Sequence, residues 1–228
     1  MNKRLELIMS RICSSRGLID VGTDHGYLPI ALAQNGYKGA IIASDINIEP
    51  LNKARKNADA SGLYNRIDFR LGNGLEACES HEVDTIVIAG MGGDSICGIL
   101  DRAEWCMSPD YELILQPMTK AEILRYWLVN NGFVIKYEDR VLESGTVYQI
   151  ITTRFEDRNT RLSDAELFTG AVSLRRDGLF SFELDTLIHR FNKAAEGMRE
   201  AERKSALRKL YLGIISELEE MRMHHAQN

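Results

Sequence analysis

The sequence predicts an α/β fold with a mostly parallel sheet, followed by a separate helical part. Short runs rich in β-branched residues alternate with helix-like segments over the first two thirds of the chain. Each early run is continuously apolar, as expected for strands that are covered on both faces. After residue 157 these runs stop, and apolar residues recur at helical spacing. Two domains are therefore predicted, residues 1–157 and residues 158–228.

Seven apolar runs are predicted as strands, and helix-like segments separate the early ones. The repeated order of strand, helix and strand predicts a mainly parallel sheet with right-handed crossovers. The predicted strands lie at 18–21, 40–44, 67–71, 85–89, 112–115, 133–137 and 147–153. The predicted helices lie at about 27–35, 49–60, 94–103 and 119–131.

The last two predicted strands are joined by residues 139–146, which contain Ser144-Gly145 and leave no room for a helix. These two runs are therefore predicted to form an antiparallel hairpin. A nicotinamide-type doubly wound sheet would usually continue with a helix and a parallel strand. An antiparallel last strand instead resembles the Rossmann-like sheet of class I methyltransferases.

Residues 158–228 contain two amphipathic segments, which are predicted as helices. Their apolar positions are Leu184, Leu187, Ile188, Phe191, Ala195 and Met198, then Leu207, Leu210, Tyr211, Ile214, Leu218 and Met221. The polar stretch from Arg199 to Lys204 can hold a chain reversal, which predicts a helical hairpin of coiled-coil type. A short helical piece around 163–176 is predicted to precede it. One uninterrupted helix is the alternative.

The composition argues against several classes of protein. The 28 basic and 33 acidic residues give a net charge of -5, which argues against polyanion binding through bulk charge alone. The four cysteines form no CxxC pair and no His-spaced cluster, so neither a zinc site nor a secreted disulfide framework is expected. No apolar run is long enough for a membrane span, and the first residues lack the core of a signal peptide. A cytoplasmic protein without a metal is expected.

A glycine turn follows the first predicted strand. Gly22 and Gly26 come after Asp20 and directly before a predicted helix. The backbone N–H groups of such a turn, with no side chain above them, let a nucleoside cofactor lie close. A second acid, Asp45, closes the next strand and can accept both hydroxyls of a ribose. Recognition of this kind serves adenosylmethionine and NAD equally.

Three further strand ends carry small or polar residues. Asn73 and Gly74 follow the third strand, where a side-chain amide could read an adenine edge. Gly90 and Met91 follow the fourth, and bare backbone there lets a second planar group approach a cofactor's methyl group. The fifth strand ends in the letters LQP. Open α/β sheets bind ligands at this carboxyl edge, so a cofactor site is predicted there.

Together these motifs resemble the bacterial tRNA (adenine(22)-N1)-methyltransferase family, a class I group that depends on S-adenosyl-L-methionine. The resemblance is carried by DVGTDHGYLP, SDIN, GNGL, DTIVIAGMGG and LILQP, and it covers nearly the whole chain, including the C-terminal helices. It implies methylation of N1 of adenine 22 in tRNA. The predicted cofactor residues are Asp20, Gly22, Gly26, Asp45, Ile46, Asn73, Gly74, Gly90 and Met91. Asp45 departs from the Glu that relatives often have.

The candidates for catalysis are Asp24, His25 and Tyr27. Adenine N1 carries an in-plane lone pair at neutral pH and needs no deprotonation, so positioning is the main catalytic task. Methylation acidifies the exocyclic amine of the base. Asp24, which the resemblance also places at the reacting base, is predicted to accept a hydrogen bond from this amine or to act as a general base. Alternatively, Tyr27 packs on the helix and His25 hydrogen-bonds backbone groups.

The other site residues also have structural alternatives. Asp24 can cap the following helix, where an acid is favourable. Asp20 can hold the glycine loop closed by accepting its N–H groups. Asn73 can serve as a turn former, and Met91 can fill the core. Independent structural roles do not explain why these residues occur together at successive strand ends.

The predicted partner is tRNA, and two groups of basic residues could hold its backbone. N1 of a paired adenine is shielded, so the base must be unpaired or drawn out of its stack. The first group is Lys3, Arg4, Arg11 and Arg16, and the second is Arg175, Arg176, Arg199, Arg203, Lys204, Arg208 and Lys209. Ordinary solvated ion pairs or a dimerisation surface are the alternatives for the helical group. A monomer is the expected state.

Two other functions stay open from the residues alone. An NAD-binding oxidoreductase would use the same ribose-binding acid. The Gly22-x-x-x-Gly26 spacing, the antiparallel last strand and the lack of an evident Lys/Tyr pair for hydride chemistry argue against it. A noncatalytic scaffold could retain a nucleotide pocket and use its helices for a partner.

Overall fold

The computed structural model describes residues 3–13, 16–171, 178–198 and 205–225. The chain divides into two compact units, Met1–Thr160 and Arg161–Asn228. The predicted functional division at residue 157, with a cofactor-binding domain followed by a helical domain, stays a prediction.

The first unit is built on a seven-stranded sheet within the described residues. In chain order the strands are β1 (Gly17–Val21), β2 (Ala40–Asp45), β3 (Asp68–Leu71), β4 (Thr85–Gly92), β5 (Glu112–Thr119), β6 (Phe133–Glu143) and β7 (Thr146–Phe155). Across the sheet they lie in the order β3-β2-β1-β4-β5-β7-β6. The first five pair in parallel, and β7 pairs antiparallel with β5 and β6. The predicted fold class is confirmed.

Helices cover both faces of this sheet. They are α1 (Lys3–Arg11), α2 (Tyr27–Gln34), α3 (Ile48–Ala60), α4 (Gly93–Asp101) and α5 (Ala121–Asn130). The first three pack through a cluster that includes Ile8, Leu28 and Ala58. The other two pack through a second cluster, which includes Ile96 and Leu124. Because both faces are closed, the carboxyl edge of the parallel strands is where loops from different strands can meet.

The last three strands are longer than the sequence predicted. β5 runs on to Thr119. β7 pairs with β5 only as far as Ile151, which lies opposite Leu115. Its pairing with β6 continues to the hairpin, where Thr146 lies opposite Glu143. The apolar run ends near Tyr137, but cross-strand hydrogen bonds keep the polar residues beyond it in the sheet. The hairpin therefore extends past the carboxyl end of the β5 pairing. Helix α1 was not predicted from the sequence.

The second unit consists of helices in the described residues, namely α6 (Asp164–Thr169), α7 (Phe180–Glu196) and α8 (Ser205–His225). The aromatic rings of Phe180 and His225 lie 5.1 Å apart, and so do those of Phe191 and Tyr211. These contacts show that α7 and α8 run antiparallel, so the hairpin is confirmed and the uninterrupted helix is wrong.

Two other predictions concern chain segments beside these helices. The predicted reversal at 199–204 lies outside the described residues. The short helical piece ends at Thr169, before Gly170 with a φ of +77°, and its predicted residues 172–176 also lie outside. None of the described helices is both long and apolar enough to cross a membrane.

Candidate functional site

A cavity of about 280 Å³ opens at the carboxyl edge of the sheet. It is formed by the ends of β1, β4 and β5 together with α1 and α2. Its lining residues are Arg4, Leu5, Ile8, Asp20, Gly22, Thr23, Asp24, Tyr27, Leu28, Ala89, Gly90 and Gln116. A larger groove of about 550 Å³ runs beside β2 and β3, but none of the predicted site residues lines it. The smaller cavity is therefore the candidate site.

The loop after β1 is closed by backbone hydrogen bonds to the neighbouring strand. The N–H groups of Gly22 and Thr23 both donate to the carbonyl of Ser44, each at 2.8 Å. Gly22 has a φ of +74°, and a Cβ there would lie 2.2 Å from the Cε of Met91. The backbone conformation thus favours glycine at this point, and a larger residue would also displace the end of the Met91 side chain. Gly26, with a φ of +73°, precedes α2.

Two buried carboxylates lie below this loop, Asp20 at 6% exposure and Asp45 at 8%. Burial raises the pKa of Asp20 to about 6, and the nearby Asp45 charge acts in the same direction. Asp45 accepts hydrogen bonds from the N–H groups of Asp24 at 3.2 Å and Asn47 at 2.9 Å. The N–H groups of the glycine loop therefore donate to Ser44 and Asp45, whereas Asp20 interacts with the loop through the side chain of Thr23.

The three candidate catalytic residues meet at the mouth of the cavity. The Nδ1 atom of His25 lies 2.6 Å from the Oδ2 atom of Asp24, and its ring stacks on Tyr27 with 5.4 Å between centroids. The side chain of Asp24 is 63% exposed, and Tyr27 is 60% exposed. The ring of Tyr27 thus stacks on His25 and stays largely exposed. The N-cap of α2 is Gly26, without a side-chain hydrogen bond, so the capping role for Asp24 is wrong.

The ends of β2 and β3 place the other predicted cofactor residues beside Asp45. Asp45 pairs with Leu71 across the two strands, and Ile46 and Leu71 are 61% and 56% exposed. Asn73 follows two residues later, and its Oδ1 atom accepts from Arg102 at 3.4 Å. Gly74 is buried with a φ of +63°. Leu71 closes β3, which is an edge strand of the sheet.

The end of β4 forms another wall of the cavity. Gly90 has a φ of +78°, and its N–H donates to the Oε1 atom of Gln116 at 3.2 Å. The pairing of β4 with β5 shifts register on both sides of Met91. The Met91 side chain is partly buried against the core, so the structural alternative for this residue holds beside its contact with Gly22.

Helix α1 was not predicted to take part in the site. Arg4 donates to the Oε2 atom of Glu143 at 2.8 Å and to Gln116, and it lies over the ring of Tyr148. Contacts between residues 139 positions apart leave no local signal in a sequence. Leu5 and Ile8 line the cavity beside Arg4.

The basic groups predicted for tRNA are partly occupied within the protein. Arg11 forms two hydrogen bonds to Asp139, at 2.6 and 2.5 Å. With Arg4 bound to Glu143, half of the first group is engaged in ion pairs. In the second group, Arg208 donates to the carbonyl of Ala195. The predicted residues Arg175, Arg176, Arg199, Arg203 and Lys204 lie outside the described residues.

The donor set of the site suits a nucleoside cofactor. Each carboxylate oxygen has two lone pairs, so Asp45 can accept ribose hydroxyls while it holds the two backbone N–H groups. The glycine backbone beside Asp20 leaves room for close approach. Over the part of the chain that the structure describes, no cluster of three or more His, Cys, Asp or Glu side chains could hold a metal.

Comparisons with known proteins agree with this geometry. Residues 1–151 match the model of a methyltransferase domain family. The chain is 32% identical to the tRNA (adenine(22)-N(1))-methyltransferase of Bacillus subtilis over 172 residues, which are 75% of this chain and 72% of that protein.

Two solved structures are similar over most of the chain. The crystal structure of the B. subtilis M1A22 tRNA methyltransferase TrmK has a TM-score of 0.87 at 27% identity, and covers 97% of this chain and 98% of that one. A Streptococcus pneumoniae protein in complex with S-adenosyl-L-methionine has a TM-score of 0.83 at 32% identity, and covers 97% of this chain and 99% of that one.

Proposed function

The chain belongs to the family of tRNA (adenine(22)-N(1))-methyltransferases, and on that premise we propose that it methylates N1 of adenine 22 in tRNA. S-adenosyl-L-methionine is the methyl donor. Membership of this family favours a methyltransferase over the two alternatives, the NAD-binding oxidoreductase and the noncatalytic scaffold.

One observation of the site carries the proposal. A single cavity joins the buried Asp20 and Gly22 to the exposed Asp24 and Tyr27. A methyltransferase must bring a cofactor and an acceptor base together end to end. The cavity has a closed, acidic side that suits the cofactor and an open, aromatic side that suits the acceptor base.

We assign the cofactor to the closed side. When bound, S-adenosyl-L-methionine supplies an electrophilic methyl carbon attached to a positively charged sulfur. Asp45 would accept the ribose hydroxyls, and the Gly22 loop would lie against the nucleoside. The whole set assigned to the cofactor is Asp20, Gly22, Gly26, Asp45, Ile46, Asn73, Gly74, Gly90 and Met91.

Asp24 would orient the base on the open side. Its carboxylate would accept a hydrogen bond from the N6 amine of adenine, which directs N1 into the cavity. As N1 gains positive charge, the negative Asp24 becomes a better partner, so the contact strengthens in the transition state. His25, 2.6 Å from Asp24, would hold that carboxylate, and the exposed Tyr27 ring offers a face on which a base can stack.

The RNA must present the base unpaired. N1 lies in the Watson–Crick edge of adenine, so the nucleotide has to be drawn out of its stack before it can enter the cavity. We further propose that the protein acts in the cytoplasm as a monomer.

Methyl transfer to unmodified tRNA tests the function. We expect label from S-adenosyl-L-methionine to enter a tRNA transcript and reverse transcription to stop at adenine 22. A transcript with guanine at that position is the matched control and should accept no label there. Calorimetry should show binding of S-adenosyl-L-methionine and its demethylated product, and not of NAD. Binding of NAD alone would overturn the proposal.

A further inference from the structure

We propose that Arg4 is a positioning residue for methyl transfer, because it fixes the side-chain amide of Gln116, which in turn holds Gly90 at the cavity. The inference rests on the proposed function, since it concerns the wall on which the acceptor base is placed. Arg4, Gln116 and Gly90 all line the cavity.

Gln116 is buried, at 1% exposure, and both polar atoms of its amide form hydrogen bonds. Its Oε1 atom accepts from the Gly90 N–H at 3.2 Å and from Nη1 of Arg4 at 3.4 Å. Its Nε2 atom donates to the carbonyl of Pro117 at 3.0 Å. An arginine has donors and no acceptor. Arg4 therefore keeps the oxygen of this amide towards Gly90, because a flipped amide would oppose donor to donor.

Gly90 depends on this contact more than its neighbours in β4 do. The β4–β5 ladder shifts register between Ala89 and Met91, so Gly90 lies at an interruption of the regular pairing. It has a φ of +78°, and a Cβ there would meet nothing within 4 Å. A glycine in open space has wide conformational freedom. The hydrogen bond to Gln116 restricts that freedom.

Arg4 is itself held from the other side. It donates from Nε to Glu143 at 2.8 Å, and its guanidinium lies 4.4 Å from the ring centroid of Tyr148. These contacts come from the β6–β7 hairpin, which extends beyond the β5 pairing. The hairpin, Arg4, Gln116 and Gly90 thus form one chain of contacts that ends at the cavity.

The protein offers a matched control for this arrangement. Arg11 lies two turns later on α1, pairs with Asp139 and lies 4.7 Å from the ring centroid of Tyr137. Arg11, Asp139 and Tyr137 are not among the residues that line the cavity. Arg11 therefore anchors α1 in the same way as Arg4 does, without the contact to Gln116.

Arg4→Gln and Asp139→Ala, which removes the carboxylate that anchors Arg11, separate positioning from anchoring. We expect Arg4→Gln to lower kcat with saturating tRNA and S-adenosyl-L-methionine about tenfold or more, because small misplacements of reacting groups are costly. Its dissociation constant for S-adenosyl-L-methionine should change less than about twofold. Asp139→Ala should lower the melting temperature about as much as Arg4→Gln does, and it should keep kcat. Equal losses of kcat in the two variants, or full kcat in Arg4→Gln, would overturn the inference.

Substitutions of Gln116 provide the second test. Gln116→Glu keeps an oxygen that accepts from both Gly90 and Arg4, but it loses the donor to the Pro117 carbonyl, so we expect it to retain more of kcat than Gln116→Leu does. Gln116→Leu removes that acceptor and should lose as much as Arg4→Gln does. If Arg4→Gln does not fold, Arg4→Lys takes its place, because one ammonium group does not reproduce the fork that reaches Gln116 and Glu143. Equal activity of Gln116→Glu and Gln116→Leu would contradict the proposed role.

Hydrogen exchange of the Gly90 amide tests the contact without any turnover. In the ligand-free protein, this amide should exchange about tenfold faster in Arg4→Gln than in the wild type, whereas its exchange rate in Asp139→Ala should equal that of the wild type. If the wild type fails to methylate tRNA, the proposed function fails, whereas the exchange measurement still decides whether Arg4 holds Gly90. An unaltered exchange rate of the Gly90 amide in Arg4→Gln would show that Arg4 does not hold Gly90.

Discussion

The two sides of the cavity differ in how far they are formed in the free protein. On the closed side, Asp20 is buried, and the loop beside it is held by the carbonyl of Ser44 and by the buried Asp45. On the open side, the Asp24 carboxylate and the Tyr27 ring are largely exposed. Burial of a carboxylate costs free energy, and buried carboxylates occur mostly where they have a functional partner. The comparison is in keeping with the proposal that the closed side binds the cofactor and the open side serves turnover.

The largest expected effect tests the open side. Asp24→Asn should lower kcat about a thousandfold, roughly 4 kcal/mol, because the negative acceptor for the N6 amine is lost. The substitution suits the φ of +49° at this residue, since asparagine also tolerates that region. Calorimetry should find the affinity for S-adenosyl-L-methionine nearly unchanged. An unchanged kcat would remove Asp24 from the reaction and with it the assignment of turnover to the open side.

A second test uses the pH dependence of stability on the closed side. Because burial raises the pKa of Asp20 from 3.8 to about 6, the folded protein holds a proton that the unfolded chain has released between these values. The free energy of unfolding should therefore fall as pH rises from about 4 to 6, by up to about 3 kcal/mol.

Urea unfolding of Asp20→Asn provides the control for this slope. The neutral amide does not titrate, so the fall between pH 4.5 and 6 should disappear in the variant. Arg70 lowers the pKa of Glu82 to about 2, so the stabilisation from Glu82 is lost only as pH falls below about 4.5 and does not overlap. An equal slope in both proteins would show that Asp20 does not titrate in this range.

Asp45 tests whether the two sides are coupled. Asp45→Ala should weaken binding of S-adenosyl-L-methionine by about 2 kcal/mol, since charge-assisted hydrogen bonds to the ribose are lost. The substitution should also lower kcat, because the Asp45 carboxylate accepts a hydrogen bond from the N–H of Asp24. Asp45→Asn keeps one acceptor oxygen and should be less affected in both respects. A dissociation constant equal to that of the wild type would refute the assignment to the ribose.

The smallest expected effect comes from substituting one glycine in the loop after β1 and one in the loop at the end of β4. Gly22→Ala and Gly90→Ala share a positive φ, which costs about 1 kcal/mol for alanine. The new Cβ meets Met91 at position 22 and open space at position 90. Calorimetry should therefore show S-adenosyl-L-methionine binding weakened about fivefold more by Gly22→Ala than by Gly90→Ala. Equal weakening would show that the Met91 contact does not shape the cofactor side.

The sequence predicted the fold class well, and it placed the main site residues at one edge. Continuous apolar runs and the short connection near Ser144 were enough for a mostly parallel sheet with an antiparallel end. The extension of β6 and β7 beyond residue 137 was missed, because charged residues there do not follow an apolar pattern. Pairing between the two strands maintains the hairpin in spite of that composition.

By itself, the sequence determined that Asp20, Gly22, Asp24, Asp45 and Gly90 would lie near one another. They follow strands of a parallel sheet, and such strands end at the same edge. Only the tertiary structure decided that Asp45 holds the Asp24 backbone, and that Arg4 reaches Gln116 and Glu143 from α1. Those contacts depend on how helices and hairpin pack in three dimensions, and residues more than a hundred positions apart carry no local pattern that announces them.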